Sequence, residues 1–218
     1  MDDFVNALAQ DLNQYEPRPL GRRQHFAVLL PLVRVNDQWS ILYEVRAAHI
    51  SQPGETSFPG GAIEPGECPS DAAIREAVEE LNVARADIVI IGEMDFVVTE
   101  TALIYCFVGI IKGKTPLTLE PNPDEVEEVY ALPLSWLCSH PPKYYETGLQ
   151  ATYSDDFPTA RLPGGENYKW KRRNHVVGFY DMTDSGYNLW GLTARMTDRF
   201  IDFIQEKDIY HCADCLTP

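Results

Sequence analysis

The sequence has few basic residues and no long apolar run. Lys and Arg number 18 against 33 Asp and Glu, which gives a formal net charge of −15. Nucleic acids and anionic membranes are bound through Lys and Arg that neutralise phosphate, so we expect neither as a partner. The longest apolar stretch, residues 26–33, contains Pro31 and is far too short to cross a bilayer. A small phosphorylated substrate stays open, because a bound metal can supply positive charge.

Cysteine is also scarce. Five scattered cysteines in a chain of 218 residues are typical of reduced thiols rather than of a disulfide framework. Residues 1–4 are acidic and lack the basic start of a secretion signal, so a cytoplasmic location is expected. A tail cluster, His211, Cys212 and Cys215, suggests a metal site, but a structural zinc needs four ligands. An exposed tail is therefore the favoured interpretation.

The apolar periodicity predicts helices that alternate with strands. Helices are predicted at 3–15, 69–81, 133–139 and 189–205, and strands at 25–35, 39–46, 88–99, 103–111 and 125–132. Residues 51–66 are predicted to form a loop, and 151–184 a mixture of strands and loops. This order predicts an α/β sandwich around a mixed sheet. We expect one domain over 1–218, with a core at about 24–145, an N-terminal helix at 3–15 and a C-terminal extension at about 146–210.

The helix predicted at 69–81 has two different faces. Its apolar residues recur at helical spacing and form one stripe: Ile74, Ala77, Val78 and Leu81. Three glutamates fall on nearly the opposite side: Glu76, Glu79 and Glu80. Crowded carboxylates repel one another, and Arg75 relieves part of that repulsion. A divalent cation would relieve more, since Mg²⁺ takes oxygen ligands; the alternative is a solvated acidic surface.

The loop before this helix favours the metal interpretation. Phe58 and Pro59 form a rigid turn that is followed by Gly60 and Gly61. A backbone without side chains can approach a pyrophosphate or offer a carbonyl oxygen to a metal. Glu67 adds a further carboxylate just ahead of the helix.

These residues together resemble the Nudix box, G-x5-E-x7-R-E-U-x-E-E-x-G-U. The matching positions are Gly61, Glu67, Arg75, Glu76, Glu79, Glu80 and Val83. Two positions depart from the box: Ala77 is a small residue at an apolar position, and Asn82 replaces a glycine. Asn is the best substitute where a left-handed conformation is needed. The resemblance implies the Nudix fold, an α/β/α sandwich, and hydrolysis of a nucleoside diphosphate derivative with Mg²⁺ or Mn²⁺.

The resemblance also implies roles for individual residues. Carried over by position, the metal ligands are Glu76, Glu79 and Glu80, together with a backbone carbonyl of Gly60 or Gly61. Arg75 orients the glutamates. A carboxylate then acts as general base; we favour a box glutamate, Glu79 or Glu80, with Glu125 as the alternative. For Glu125 an exposed charge at the start of a strand is an equal interpretation.

Segments on both sides of the box resemble the signature of coenzyme A pyrophosphatases, L-L-T-x-R-[SA]-x3-R-x3-G-x3-F-P-G-G. Residues 42–47 and 54–61 match in part, and 187–194 resemble the closing segment of that subfamily. Tyr43 and Glu44 depart from the signature, its internal arginine is missing, and the stretch between is one residue shorter. The implied substrate is coenzyme A or a derivative, cut to 4′-phosphopantetheine and 3′,5′-ADP.

The acidic chain needs local cations and aromatics for such a substrate. The candidate substrate-binding residues are Arg46, Phe58, Lys171, Arg172 and Arg173, the last three lying beside Tyr168 and Trp170. A solvated loop or a dimer contact is the alternative for the basic run, and strand closure is the alternative for Arg46. Trp190 is expected to pack in the core.

Three classes of function stay open at this point. The first is a metal-dependent coenzyme A pyrophosphatase, and the second a Nudix hydrolase of ADP-ribose, NADH or another dinucleotide. The third is a Nudix-fold binding module without turnover, which the intact glutamates disfavour. The resemblance also implies a homodimer.

Overall fold

The computed structural model describes residues 2–209 except 18, 19, 22, 172 and 184, and of residue 173 only the backbone. Within this part of the chain the order is α1 (Asp3–Gln14), β1 (Gln24–Val35), β2 (Gln38–Arg46), β3 (Thr56–Ser57), β4 (Gly60–Ala62), α2 (Pro69–Leu81), β5 (Ile88–Glu93), β6 (Val97–Val98), β7 (Ala102–Ile111), β8 (Val126–Pro133), α3 (Leu134–Ser139), β9 (Lys143–Leu149), β10 (Arg173–Phe179) and α4 (Gly191–Glu206). Short 3-10 turns lie at Arg85–Asp87, Thr159–Arg161 and Gly165–Asn167.

A mixed sheet is built around β1. The strand pairs in parallel with β7 along one edge, from Gln24 opposite Ala102 onward. Its other edge is shared: the second half pairs with β2 in a hairpin, and the first half pairs with β4. β2 also pairs with β8 and, near its end, with β3. The β3–β4 segment therefore lies where β1 and β2 separate, at the centre of the sheet.

Helices cover both faces of this sheet. Along β1, Leu29 and Val33 belong to the apolar cluster that includes α2, whereas Leu30 and Leu32 belong to the cluster that includes α3 and α4. This alternation is what the period of two in a strand dictates. The prediction of an α/β/α sandwich around a mixed sheet is confirmed.

The predicted elements differ from the structure in three places. The predicted loop 51–66 contains β3 and β4, because its glycine pair sits against β1 as a strand. The predicted strand 88–99 is divided into β5 and β6, both of which pair with β7. In the described residues of the segment 151–184 the structure has one strand, β10, and two 3-10 turns; β10 forms a separate two-stranded sheet with β9, a strand not predicted from the sequence.

The N-terminal helix makes little contact with the core. Its C-terminal cap is Tyr15, and none of its residues is buried. The predicted tail cluster at 211–215 lies outside the described residues. No helix in the described part of the chain combines the length and the apolar character needed to span a membrane.

Candidate active site

Helix α2 has the predicted bounds, and its predicted apolar stripe packs in the core, but its buried face also includes an acidic residue. The helix starts at Pro69 and ends before Asn82, which adopts the left-handed conformation at φ 51°. Its buried residues include Ala73, Ala77 and Glu80, and Glu80 is only 5% exposed. The expectation that Glu80 faces away from the core is wrong. The buried face is rotated toward Ala73 and Glu80, because the β3–β4 segment packs over that side.

A hydrogen bond joins Glu80 to the glycine pair. The backbone N–H of Gly60 donates to Glu80 Oε2 at 2.8 Å. Burial raises the pKa of Glu80 well above its ordinary value, and the nearby carboxylate of Glu44 raises this pKa further. The Gly60 amide opposes the shift by stabilising the charged form. The amide therefore holds a carboxylate at a place where burial disfavours its charge.

Arg75 ties together the other carboxylates of the site. Its Nε donates to Glu67 Oε1 at 3.0 Å, and one terminal nitrogen donates to Glu76 Oε1 at 2.8 Å and to Glu79 Oε2 at 3.3 Å. The other terminal nitrogen donates to the Ala62 carbonyl at 3.0 Å. The hydrogen bond from Arg75 lowers the pKa of Glu67. A planar guanidinium is suited to fixing several acceptors at once, so Arg75 links α2, the preceding loop and β4.

The two glycines are required by close packing. A Cβ on Gly60 would lie 2.5 Å from the Ala27 carbonyl oxygen and 2.7 Å from Val28 Cα, both in the backbone of β1. A Cβ on Gly61 would collide with the carboxylate of Glu76. The absence of side chains thus lets β4 lie between β1 and the acidic side of α2.

Two acidic residues outside the helix face the same place. The charges of Glu44, on β2, and Glu125, just before β8, both raise the pKa of Glu80. Burial raises the pKa of Glu44 above its ordinary value, opposed by a hydrogen bond from the Ser57 hydroxyl at 2.8 Å. Burial likewise raises the pKa of Glu76, against the hydrogen bond from Arg75. The structure therefore gathers carboxylates from α2, β2 and the start of β8.

A cavity of about 380 Å³ opens beside the glycine pair. Its lining includes Gly60, Gly61, Arg46, Phe58, Trp190 and Leu192. The Arg46 guanidinium is held by the Ser51 carbonyl at 2.8 Å, and Trp190 stacks on Phe179 with ring centroids 5.6 Å apart. The cavity joins the glycine turn to the start of α4 and has room for part of a nucleotide-sized ligand.

Comparison with known sequences decides the family. A sequence model described as the NUDIX domain matches residues 23–157. The chain belongs to the Nudix family. The predicted Nudix fold is confirmed, and so is the prediction of a hydrolase acting on phosphoanhydride bonds.

Curated Nudix relatives cover different shares of this chain. Nudix hydrolase 3 of Caenorhabditis elegans is 30% identical over 188 residues, which are 84% of this chain and 74% of that protein. The peroxisomal coenzyme A diphosphatase NUDT7 of Mus musculus is 32% identical over 124 residues, 56% of this chain and 51% of that protein. The uncharacterized Nudix hydrolase NudL of Enterobacter sp. (strain 638) is 36% identical over 138 residues, 62% of this chain and 70% of that protein.

Nudix hydrolases generally need divalent metal ions, and the chemistry of the donor atoms present suits such an ion. The donors are carboxylates and backbone carbonyls, the hard oxygen ligands that Mg²⁺ and Mn²⁺ take. Gly61 leaves space for the Glu76 carboxylate directly against β4. Among the described residues, no three acidic, histidine or cysteine side chains lie close enough together to hold one metal ion. Glu76 instead faces Arg75, and Glu80 faces the Gly60 amide.

The structure separates the predicted substrate-binding residues into two groups. Arg46 and Phe58 line the cavity at the Nudix glycine pair, although Phe58 is only 5% exposed and stacks on Tyr43. Lys171 lines a different cavity, of about 840 Å³, whose described lining residues include none of those at the glycine pair. Residue 172 and the side chain of 173 lie outside the described part. Substrate binding by the basic run stays a prediction.

Two residues of the Nudix site were missed or misassigned from the sequence. Trp190 is 37% exposed and lines the cavity, so the expectation that it packs in the core is wrong. Its ring lies at the start of α4 and stacks on Phe179 instead. Glu44 was noted only as a departure from a signature; the signal that could have found it is an acid inside the apolar strand Ile41–Val45.

Proposed function

We propose that this Nudix hydrolase cleaves the pyrophosphate bond of coenzyme A or a coenzyme A derivative, giving 4′-phosphopantetheine and 3′,5′-ADP. The observation that carries the proposal is the arrangement of Gly60 and Gly61 between β1 and the acidic side of α2, beside the cavity lined by Arg46 and Trp190. A diphosphate at the glycine pair would have the carboxylates on one side and the cavity on the other.

Mg²⁺ or Mn²⁺ would be held by carboxylates of α2. We assign this role to Glu76, Glu79 and Glu80, with the backbone carbonyl of Gly60 or Gly61 as a further oxygen donor. When bound, such a cation supplies positive charge against the diphosphate and lowers the pKa of a water molecule. An acidic protein without this charge would repel its substrate.

Arg75 and one glutamate have roles of their own in this mechanism. Arg75 holds Glu67, Glu76 and Glu79 in fixed positions, which keeps mutually repelling carboxylates at one end of the site. Glu79 is our preferred general base, because its side chain is 51% exposed while Glu76 and Glu80 are largely enclosed. Glu125 is the alternative base, since its charge acts on both Glu76 and Glu80.

The choice of coenzyme A is supported by sequence outside the box. The signature residues at 54–61 and 187–194 contribute to the same cavity, through Phe58 and Gly60 on one side and Trp190 and Leu192 on the other. The mouse relative NUDT7 is a coenzyme A diphosphatase. Its likeness to this chain spans about half of each protein. The cytoplasmic location and the homodimer stay predictions.

The experiment that tests the substrate is a product analysis. Purified protein is incubated with Mg²⁺, and in parallel with Mn²⁺, together with coenzyme A, ADP-ribose or NADH. We expect coenzyme A to give the highest kcat/KM and to release 3′,5′-ADP. A higher kcat/KM for ADP-ribose or NADH would replace this proposal with the other Nudix substrate class. No turnover of any of the three would leave a metal-dependent coenzyme A diphosphatase without support.

The cavity at the glycine pair has a neighbour that is lined by two arginines of α4. Met196 lines both this cavity and a second one, of about 240 Å³, which Arg195 and Arg199 also line. Arg199 is paired with Asp95 at 2.7 Å, whereas Arg195 is exposed. We propose that Arg195 contacts the 3′-phosphate of coenzyme A, which the net charge of the chain would otherwise repel.

Replacing Arg195 with Ala should raise the KM for coenzyme A about tenfold, the size expected for one charge-assisted hydrogen bond. The KM for 3′-dephospho-coenzyme A should change little, because that molecule lacks the phosphate. Steady-state kinetics of Arg195→Ala and Lys171→Ala on both substrates measure the difference. A selective effect of Lys171→Ala, with none of Arg195→Ala, would instead support the basic run predicted from the sequence.

A further inference from the structure

Glu44 is buried, and only one of its two carboxylate oxygens has a hydrogen-bond partner among the described residues. It lies on β2 between Tyr43 and Val45 and is 1% exposed. Alternation along the strand puts Glu44 on the same face as Leu42, which packs in the cluster beneath α2. One carboxylate oxygen accepts the hydrogen bond from Ser57, but Oε2 has no partner among the described residues. A buried acid is normally paired or hydrogen-bonded at both oxygens.

The groups around Glu44 make this burial more unfavourable. From α2, the carboxylates of Glu80 and Glu76 act on it, and Glu125 acts on it from the start of β8. Arg46 is the neighbouring cation, and its charge opposes these effects, although its Nε is engaged by the Ser51 carbonyl at 2.8 Å. Like charges in a poorly solvated place are destabilising unless a cation lies among them. Among the described residues, the fold therefore keeps an acid with one unpartnered carboxylate oxygen next to the acids assigned to the metal.

We propose that Glu44 is a further carboxylate ligand of the divalent metal site, supplied by β2 rather than by α2. This inference rests on the proposed metal-dependent function. The free Oε2 would supply the oxygen, while the hydrogen bond from Ser57 holds the other oxygen in place. Glu44 lies outside the Nudix box, and the coenzyme A signature has threonine at this position. The proposed ligand is therefore a feature of this chain and of neither motif.

A purely structural role for Glu44 makes a different prediction. If Glu44 were a neutral acid that only fills space, Gln would replace it without loss, because Gln has nearly the same shape and can accept the hydrogen bond from Ser57. A metal ligand cannot be replaced in this way, since a neutral amide is a weaker donor for a hard cation than a carboxylate. Glu44→Gln therefore distinguishes a purely structural role from metal binding.

The experiment measures Mn²⁺ binding to the whole protein without substrate, by calorimetry and by the electron paramagnetic resonance of free Mn²⁺. Glu44→Gln should weaken Mn²⁺ binding at least tenfold and should reduce the rise in Tm that Mn²⁺ produces. Glu127→Gln, an exposed carboxylate on β8, is the matched control and should bind Mn²⁺ like the wild type. Glu44→Asp keeps the charge on a shorter side chain and should retain more affinity than Glu44→Gln.

Each outcome has a defined meaning. Equal Mn²⁺ affinity in wild type and Glu44→Gln would overturn the inference and leave the proposed function intact. Higher Mn²⁺ affinity in Glu44→Gln than in Glu44→Asp would also overturn it, because side-chain shape rather than charge would then decide the binding. If the wild type itself bound no Mn²⁺, the metal-dependent function would fail first, and the role of Glu44 with it.

Discussion

Replacing Glu80 with Gln should lower kcat by about three orders of magnitude, equivalent to about 4 kcal/mol. The side chain would lose its charge as a metal ligand while keeping its shape and its ability to accept the hydrogen bond from the Gly60 amide at 2.8 Å. Turnover of coenzyme A, or of whichever substrate the product analysis selects, measures the loss. Glu127→Gln, which changes an exposed acid near the site, should keep the wild-type rate.

The same variant should be more stable than the wild type when metal is removed. Burial and the Glu44 charge raise the pKa of Glu80, so near neutral pH the folded state binds a proton here more tightly than the unfolded chain. The contribution of Glu80 to the free energy of unfolding is therefore complete below the ordinary carboxyl pKa. It is lost as the pH rises through the raised pKa of the folded state. Gln is always neutral and avoids this loss. We expect a Tm about 3 °C higher in chelator at pH 8.

The result that would contradict this account is a large fall in Tm for Glu80→Gln in chelator. Such a fall would mean that the charged form of Glu80 stabilises the fold, contrary to the effect of its burial. Retention of more than a tenth of the wild-type kcat would instead remove Glu80 from the metal ligands. The two measurements are independent, so stability and catalysis can be judged separately.

Replacing Gly61 with Ala should reduce kcat about a hundredfold, as expected when a catalytic group is displaced by about 1 Å. A Cβ at this position would collide with the Glu76 carboxylate, which would have to leave its 2.8 Å contact with Arg75. Steady-state kinetics across a range of Mg²⁺ concentrations measure the effect, and we expect more Mg²⁺ to be needed for half-maximal rate.

Gly148→Ala is the matched control for Gly61→Ala. Gly148 lies on β9, and a Cβ there would have open space around it. Normal activity in Gly148→Ala together with loss in Gly61→Ala would assign the effect to the contact with Glu76. Normal activity in Gly61→Ala would show that Glu76 can move without consequence and is not held in place for function.

Local patterns in the sequence predicted where α2 begins and ends and which acidic residues it carries near the glycine pair. Pro69 and Asn82 mark the two ends of the helix, and their conformational preferences do not depend on the rest of the fold. The spacing from Gly61 to Glu80 likewise predicted the residues that the structure brings together. These features are encoded within about twenty consecutive residues, where one helix and one turn decide the geometry.

Features that depend on distant segments were not predictable in this way. The direction of the buried face of α2 depends on β4, which pairs with β1, and so the enclosure of Glu80 could not be derived from helical periodicity alone. Glu44 is brought beneath α2 by the sheet, and β9 is identified only by its pairing with β10. The role of Lys171 depends likewise on where the C-terminal segment lies.

The parallel pairing of β1 with β7 has a consequence for how the chain reaches its native state. Gln24 pairs opposite Ala102 and Leu32 opposite Ile110, so the central strand cannot complete its ladder until the chain has been synthesised past that point. Contacts between such distant residues make folding slow. During translation the β1–β2 hairpin would emerge with an uncovered hydrogen-bonding edge, and that nascent edge is where aggregation or chaperone capture would begin.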